Sequence, residues 1–342
     1  MVTIKDVAKM AQVAPSTVSR VIANSPRISE KTKRKVRKVM KEMGYHPNLN
    51  ARSLAVNTTE AIGLVMPSSA TKSLNNPFFP EVIQGISSYC HQEGYSITMT
   101  TGESDDEIFQ DVVKMVQGRR VDGIIVPYSR EDDRVVPYLC EKKIPCVLIG
   151  KPSFEHIDIT YVDNDNVKAS KEITRYVINL GHMRIAFIGG FMKYAVTKDR
   201  LEGFCSAVQE ANLTIPGEYK KHFAFNREEG KKAVEELMSL AKPPTAIIVA
   251  DDLVALGVLS ALREKGISVP NQVSVVSFNN TLISELASPP LTTVDVNTYE
   301  LGFEAAKCLL ERIKFPHLLN KNVCIPTNIV IRKTCQRLCL SK

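Results

Sequence analysis

Short apolar runs alternate with longer amphipathic stretches from Glu60 onwards, and this alternation limits the folds open to the chain more than any other feature. Mainly apolar runs such as 123–127 and 246–250 are typical of strands that parallel sheets bury on both faces. Several of the amphipathic stretches end in Gly just before the next run. Repeated βα units therefore predict an α/β body of two successive parallel-sheet units. The expected strands are 62–66, 96–101, 123–127, 146–149, 184–188, 246–250 and 273–278, and the expected helices include 80–92, 108–117, 167–179, 200–211, 228–240 and 253–264.

Composition and motifs exclude several classes of protein. The 342 residues, 44% of them hydrophobic, can bury one or two sizeable cores beside a small domain. No stretch approaches the roughly 20 apolar residues of a membrane span and no apolar signal region opens the chain, which favours a cytoplasmic protein without membrane contact. Motifs such as G-x-x-x-x-G-K-[ST] and G-x-S-x-G are absent from the sequence, which argues against an enzyme and against a cofactor. The eight scattered cysteines predict reduced thiols and no metal site.

The excess positive charge lies entirely in the first 60 residues. They hold twelve Lys and Arg against four Asp and Glu, whereas the rest of the chain holds 32 against 33. A basic region joined to a near-neutral body attracts a polyanion to one end and leaves the other end available for a second role.

The N-terminal region has the pattern of two short helices joined by a tight turn. Thr3 and Asp6 form a capping box, which predicts a helix over 4–11. Pro at the first turn opens a second helix over 15–22, whose apolar residues share one face. This helix-turn-helix indicates DNA binding, with the second helix entering the major groove, although a small helical bundle without a ligand would show the same periodicity.

Ser29 caps a third expected helix over 30–43, which Gly44 ends. Alone, its basic face would indicate a solvated surface. After a helix-turn-helix, it indicates contacts with phosphate, which raise affinity without reading sequence. The basic residues are Lys31, Lys33, Arg34, Lys35, Arg37, Lys38 and Lys41.

Four motifs carry a resemblance to a known family. T-I-K-D-V-A at 3–8, S-T-V-S-R-V-I-A at 16–23, G-Y-H-P-N at 44–48 and A-R-S-L at 51–54 closely resemble the head and hinge of the LacI/GalR family of bacterial transcription regulators. The similarity continues nearly to the C-terminus, through V-D-N at 162–164, R-L-E-G-F at 200–204 and A-D-D at 250–252. Within the family, S-F-N-N at 277–280 together with the aromatic residues Phe78, Phe79, Tyr128, Phe191 and Tyr194 resembles the maltose-type repressors.

The resemblance implies that residues 48–56 form a hinge helix on operator DNA and that Leu54 wedges into the minor groove, where apolar insertion bends DNA. Leu54 could otherwise be a packing residue of an ordinary helix. The sequence departs from many members at Ala14, where Ser caps the second helix. The implied DNA contacts come from Thr3, Pro15, Ser16, Thr17, Ser19, Arg20, Asn24, Asn48, Arg52 and Leu54.

For the body, the resemblance implies a periplasmic-binding-protein-like fold with a sugar in its cleft. Hydroxyls need paired donors and acceptors, which Arg, Asp and Asn at strand ends supply. Asp251 could instead be only a helix cap, and Arg200 only a surface ion pair. S-F-N-N at 277–280 departs from the commoner Gly-aromatic-Asp-Asp of the family. The implied effector contacts are Phe79, Asp163, Arg200, Asp251 and Asn279.

These observations predict an α/β protein with an all-α head. The expected divisions are a head at 1–46, a hinge at 47–59, and a two-part core of 60–160 with 292–320 and 161–291 with 321–336. The expected function is a homodimeric repressor of carbohydrate genes that binds an inverted-repeat operator and responds to a small sugar, with maltose or a maltooligosaccharide as the specific candidate.

Two alternatives stay open. A global catabolite regulator would answer to a phosphorylated carrier protein, and it would need an electropositive patch on the first part of the core. A sugar-modifying enzyme would need acid and base residues in the cleft, where Asp163, Asp251 and Asp252 are the candidates.

Overall fold

The N-terminal unit, Met1–Thr59, contains three helices within its described residues: α1 (Ile4–Ala11), α2 (Pro15–Ile22) and α3 (Glu30–Glu42). The computed structural model describes residues 2–45, 58–153 and 158–338. Thr3 closes a capping box with Asp6, which confirms the predicted start of α1. Gly44 follows α3 with a φ of +61°, as expected of the residue that ends it. Val7, Val18 and Val36 meet in the core of the unit.

The second unit, Glu60–Lys342, is built on two six-stranded sheets. The first sheet contains β1 (Ala61–Leu64), β2 (Ser96–Met99), β3 (Gly123–Val126), β4 (Cys146–Ile149), β5 (Thr160–Asn164) and β11 (Asn322–Ile325). All its strands are parallel, in the order β11-β5-β4-β3-β1-β2. Its helices are α4 (Ala70–Leu74), α5 (Phe78–Glu93), α6 (Asp105–Gln117), α7 (Val135–Glu141) and α13 (Thr298–Lys314).

The second sheet repeats this order with β6 (Ile185–Gly189), β7 (Lys220–His222), β8 (Ala246–Val249), β9 (Ser274–Asn279), β10 (Thr292–Asp295) and β12 (Asn328–Val330). The strand order is β12-β10-β9-β8-β6-β7, and only β12 is antiparallel to its neighbour. Its helices are α8 (Asn166–Asn179), α9 (Ala195–Glu210), α10 (Arg227–Met238), α11 (Asp252–Glu264) and α12 (Leu282–Leu286), and a 3₁₀ turn spans Gly217–Tyr219. The predicted pair of similar α/β units is confirmed.

Sheet membership corrects the expected limits of the two parts of the core. Boundaries were expected before 161, 292 and 321, but each lies one strand too early. β5 pairs with β4, β10 pairs with β9 and β11 pairs with β5. The strand that follows each expected boundary therefore still belongs to the sheet that precedes the boundary. We therefore define the first lobe as residues 60–164 and 298–325, and the second lobe as residues 166–295 and 328–338.

Helices α5 and α13 cover the first sheet together and approach each other unusually closely. A Cβ on Gly85 would collide with the backbone carbonyl of Tyr299, and a Cβ on Gly302 would collide with that of Val82. The two glycines therefore allow backbone-to-backbone contact between these helices.

In the described parts of the chain, no helix combines the length and the apolar character needed to cross a membrane. No group of three or more His, Cys, Asp or Glu side chains in residues 2–45, 58–153 and 158–338 is arranged to hold a metal ion.

Candidate functional site

The second helix of the head presents a polar surface. Val18 and Val21 are buried, whereas Ser16, Ser19 and Arg20 are exposed. Pro15 is also exposed, in the first turn of α2, and Thr17 is half-buried. The polar residues expected to contact DNA therefore share the exposed side of one short helix, which is the form in which a recognition helix enters a groove.

Thr3 and Asn24 each have a structural partner within the head. The Thr3 hydroxyl donates to Asp6 Oδ2 at 2.7 Å, and Asp6 Oδ2 also accepts from the Thr3 amide at 2.9 Å. Asn24, at a φ of +50°, accepts a 2.8 Å hydrogen bond from Arg37. Both residues are exposed, so these bonds fix the backbone at the edges of α1 and α2.

The basic face of α3 is smaller by one residue than its sequence indicates. Lys33 is buried and pairs with Glu30 at 2.8 Å, so it belongs to the fold of the head. The other six cations of this face are exposed. Ala14 precedes α2 with extended backbone and gives no side-chain cap, and Ser16 does not replace it. Asn48, Arg52 and Leu54 lie outside the described residues.

A cavity of about 560 Å³ lies between the lobes. It opens at the carboxyl ends of the parallel strands, where open α/β sheets bind their ligands. The structure brings all five predicted effector residues to its wall: Phe79, Asp163, Arg200, Asp251 and Asn279.

Asp251 is buried and accepts hydrogen bonds at both carboxylate oxygens. Oδ1 caps α11 by accepting from the amides of Leu253 (2.8 Å) and Val254 (3.2 Å). Oδ2 accepts from Asn279 Nδ2 at 3.0 Å and, across the cavity, from Asn76 Nδ2 at 2.9 Å. The helix-cap interpretation is therefore correct for one oxygen, while the other oxygen orients two amides at the cavity wall. Burial raises the pKa of Asp251.

Arg200 is a buried cavity residue and not a surface ion pair. Its Nε donates to Asn166 Oδ1 at 2.9 Å, and its Nη1 donates to the carbonyl of Ala250 at 2.6 Å. The guanidinium lies 4.3 Å from the centre of the Phe278 ring. Burial lowers its pKa to about 10, and the nearby carboxylate of Asp251 opposes this shift. Arg200 is therefore still charged at neutral pH.

Asp163 is the penultimate residue of β5 and lies at the cavity wall. It accepts from the Lys151 amide at 2.8 Å and from Asn166 Nδ2 at 3.0 Å. Burial raises its pKa to about 6, against the effect of these backbone and amide donors. Its charge therefore changes within a pH range accessible to experiment.

Aromatic side chains form both walls of the cavity. The first lobe contributes Phe78, Phe79 and Tyr128, and the second contributes Phe191, Tyr194 and Phe225. The Tyr128 hydroxyl donates to Asp133 away from the cavity at 3.2 Å, so the ring itself is the surface offered to a ligand. Rings of this kind stack on the apolar faces of flat or saturated cyclic ligands.

The sequence comparisons agree with both parts of the structure. Residues 3–48 match the pattern described as "Bacterial regulatory proteins, lacI family", and residues 174–335 match "Periplasmic binding protein-like domain". The chain is 38% identical to the HTH-type transcriptional regulator MalR of Staphylococcus xylosus, over 98% of each chain. It is 42% identical to the MalR of Streptococcus pneumoniae serotype 4, over 94% of this chain and 96% of the relative. The chain belongs to the lacI family.

Solved structures of lacI-family regulators share this fold. A putative transcriptional regulator LacI from Bacillus cereus subsp. cytotoxis is 57% identical, with a TM-score of 0.80 over 81% of this chain and 98% of its own. The regulator CelR in complex with cellobiose is 30% identical, with a TM-score of 0.76 over 98% of this chain and 100% of its own. The lac repressor dimer bound to operator and an anti-inducer is 26% identical, with a TM-score of 0.84 over 98% and 99%.

This lacI-family protein is therefore a DNA-binding transcriptional regulator with an effector-binding body, and its relatives are regulators and not enzymes. Asp252, one of the candidate acids for an enzyme, does not line the cavity. Its carboxylate instead accepts from Ser277, Thr281 and Thr293.

Among the polar residues of this lacI-family cavity that sequence reasoning missed are Lys72, Asn76, Asn164 and Asn166. Asn164 stands inside the V-D-N motif, but nothing in that motif indicates its partners, and the partners of Asn76 and Asn164 lie more than a hundred residues away in the chain. Asn166 follows β5 by two residues, so its place after a buried strand was the one available signal.

Proposed function

We propose that this lacI-family regulator is a homodimeric repressor that binds an inverted-repeat operator and releases it when a small neutral sugar occupies the cavity. Maltose or a maltooligosaccharide is the specific candidate. The observation that supports this most is the cavity wall, where buried Arg200 and half-buried Asp163 stand among aromatic rings contributed by both lobes. The name MalR of the two curated relatives supports the choice of sugar.

The chemistry of the wall suits a polyhydroxylated ligand. Arg200 and the amides of Asn76 and Asn279 are donors, and Asp163 is an acceptor, so hydroxyls in either role find a partner. The volume of about 560 Å³ falls within the range of about 300–1,000 Å³ usual for small-molecule sites. One Arg facing two carboxylates, with Lys72 at the wall, gives no excess of positive charge that would select a phosphorylated sugar.

Charge pairing on the first lobe supports free sugar over a phosphorylated carrier protein. Several exposed cations there have acidic partners, such as Lys314 with Glu93 at 2.5 Å and Lys321 with Glu311 at 2.5 Å. Arg134 pairs in the same way with Asp106. Cations paired with carboxylates attract a phosphoprotein more weakly than a patch of unpaired cations does.

The deciding experiment is binding of the full chain to a library of palindromic, CpG-centred DNA at fixed salt, followed by fluorescence anisotropy. Maltose, glucose, ribose, galactose and cellobiose are then added separately, and calorimetry measures sugar binding without DNA. We expect selective DNA binding and release by maltose. Absence of any sequence preference would contradict the operator proposal, and release by another sugar would replace maltose.

The matched variants are Asp251→Ala and Ser104→Ala. Both remove a side chain that caps a helix, but only Asp251 lines the cavity. We expect Asp251→Ala to retain operator binding and lose the sugar response, and Ser104→Ala, at the start of α6, to retain both. An unchanged sugar response in Asp251→Ala would remove this residue from the proposed site.

Exposed leucines on α12 support the homodimer. Leu282 and Leu286 are 63% and 72% exposed, and the Leu282 amide donates to Glu81 of α5, which places this apolar surface beside the start of α5. Clustered apolar side chains on a surface mark an interface. We expect Leu286→Glu to sediment as a monomer with weakened operator binding, whereas Leu319→Glu, changed at another exposed leucine (88%), should remain dimeric.

A further inference from the structure

Three short segments are the covalent connections between the lobes. The first passes from β5 to α8 at residue 165, the second from β10 to α13 at residues 296–297, and the third from β11 to β12 at residues 326–327. Any opening or closing of the cavity between the lobes must be absorbed by these crossovers, because the sheets on either side are hydrogen-bonded ladders. A side chain that joins the crossovers therefore bears on every such movement.

One side chain joins all three. Asn164, at the first crossover, is buried, and its Nδ2 donates to the carbonyl of Val296 at 3.0 Å and to the carbonyl of Ile325 at 3.0 Å. A carboxamide has two N–H donors, and these two carbonyls use both. Two carbonyl partners also fix which atom of the amide is nitrogen.

Hydrogen bonds connect the backbone of Asn164 to the cavity arginine. Arg200 Nε donates to Asn166 Oδ1 at 2.9 Å. Asn166 Nδ2 in turn donates to Asp163 Oδ1 at 3.0 Å and to the carbonyl of Asn164 at 3.4 Å. All four residues line the cavity, so a ligand that moves Arg200 or Asp163 acts on groups bonded directly to the crossovers.

We propose that Asn164 is a positioning residue for the effector response, because its side chain holds the three crossovers of the hinge between the lobes together. Asn166 links Asn164 to Arg200. Displacing the crossovers relative to one another would leave the buried carbonyls of Val296 and Ile325 without donors, which buried backbone groups do not tolerate. The three crossovers therefore move together, and the lobes keep one axis of rotation. This proposal rests on the proposed effector function and names the residue that transmits it.

The test uses Asn164→Leu, which keeps the size and removes both donors, and Asn164→Asp, which keeps the shape and places an acceptor against two carbonyls. Asn320→Leu is the matched control. The Asn320 amide also joins separate segments, by donating to the Asp158 carbonyl at 2.9 Å and accepting from Thr160 at 3.3 Å, but it does so away from the crossovers. All variants are made in the full chain.

Two measurements are made on each protein. Hydrogen exchange without any ligand reports opening at residues 295–298 and 325–328. The ratio of operator affinities without and with maltose, or with whichever sugar binds by calorimetry, reports coupling. We expect both Asn164 variants to exchange roughly tenfold faster at the crossovers, since local opening sets the exchange rate there. Because Asn164 also lines the cavity, the ratio is measured with each variant saturated by sugar as judged by calorimetry, and we expect it to fall from the roughly 5- to 150-fold usual for allosteric coupling to near one.

A role limited to stability would lower the melting temperature of Asn164→Leu and Asn320→Leu alike and leave the affinity ratio intact, which would overturn the proposal. Unchanged exchange at the crossovers in both Asn164 variants would overturn it as well. If the parent protein shows no response to any sugar, the proposed function fails, while the exchange measurement still decides whether Asn164 holds the hinge. If Asn164→Leu does not fold, hydrogen exchange and the ratio of operator affinities are measured on Asn164→Asp and Asn166→Ala instead.

Discussion

Burial sets the charge state of the carboxylates around the cavity, and Asp163 gives a measurable consequence. Its pKa is raised from 3.8 to about 6 in the folded protein. Between these values the folded chain binds more protons at this site than the unfolded chain does. The contribution of Asp163 to the free energy of unfolding is therefore largest at low pH and decreases as pH rises from about 4 to about 6.

We predict that Asp163→Asn removes this part of the pH dependence. At about 1.4 kcal/mol for each pH unit, the parent should lose up to roughly 3 kcal/mol relative to the variant across that window. Urea unfolding at intervals between pH 4 and pH 7 measures the difference. The constant offset caused by the lost acceptor does not affect the slope, and parallel curves for the two proteins would contradict the raised pKa.

The exposed positions of Arg20 and Lys35 predict different losses of DNA binding. Arg20 on α2 suits a bidentate contact with guanine, so Arg20→Ala should lose roughly 1–3 kcal/mol on operator and much less on random DNA. Lys35→Ala should weaken both about equally and reduce the salt dependence by about one unit. Anisotropy titrations at several salt concentrations separate the two effects. Equal losses on both DNAs for Arg20→Ala would exclude base reading.

Buried Lys33 supplies the control for these phosphate contacts. Because the Lys33 side chain is buried against the head and its charge pairs with the exposed Glu30, we expect Lys33→Ala to reduce the stability of the head through lost packing. A parallel loss of thermal stability should accompany any loss of DNA binding in this variant, whereas Lys35→Ala should melt at the parent temperature.

At the level of single residues, the sequence predicted which side chains face the cavity but not how they are bonded. All five effector residues that the family resemblance implied line its wall: Asp163 and Asn279 lie at strand ends, Asp251 precedes α11, and Phe79 and Arg200 lie within α5 and α9. The bond from Asn76 to Asp251 spans 175 residues, and a bond of Asn164 spans 161. Such pairs follow from how two sheets are connected, which periodicity does not encode.

Among the helices, α2 is the clearest case of an element that can be stabilised. Ala14 has the extended backbone of an N-cap, with φ of −71° and ψ of 148°, but its methyl side chain cannot accept a hydrogen bond from the first amides of the helix. Ala14→Ser should stabilise the head by roughly 0.5–1 kcal/mol, by accepting from an otherwise uncapped amide. Thermal unfolding followed at a helix-sensitive wavelength tests this. Ala23→Ser, at the other end of α2, adds the same hydroxyl without an N-cap and should give no gain.

The contact between α5 and α13 predicts a loss instead. Gly85→Ala places a methyl group against the backbone carbonyl of Tyr299, which cannot move independently of its helix. We expect a loss of about 1–3 kcal/mol in the free energy of unfolding, as for other overpacked interfaces. Gln84→Ala, on the exposed side of α5, should change it by less than about 0.5 kcal/mol. A neutral Gly85→Ala would mean that the two helices separate without cost.

Elements with strong periodicity were predicted well, and weakly apolar ones were not. The predicted head helices α1 and α2 agree with the structure, and β4 agrees at both ends. The short β7, with the sequence K-K-H, and the short β12, with N-I-V, were not identified. They are edge strands held by pairing with one neighbour, so few of their side chains need to be apolar.

For the whole molecule, the three crossovers explain why the expected limits of the lobes were wrong. A strand joins the sheet whose edge it pairs with, and the sequence of β10 alone does not say which edge that is. Its partner β9 keeps it in the second lobe, although the next helix, α13, covers the first sheet. The charge division between head and body, by contrast, could be counted directly, because it needs no knowledge of pairing.

The interleaving of the lobes also sets the order in which the parts of this regulator can be completed during synthesis. The head closes its core within the first 45 residues, whereas β11 and β12, the last strands of the two sheets, both come from residues 322–330. As the nascent chain emerges from the ribosome, the segment that recognises DNA can therefore fold long before either sheet is complete. A ribosome-bound or prematurely terminated chain would carry a folded head without a finished sensor, so control by effector begins only when translation reaches the last few residues.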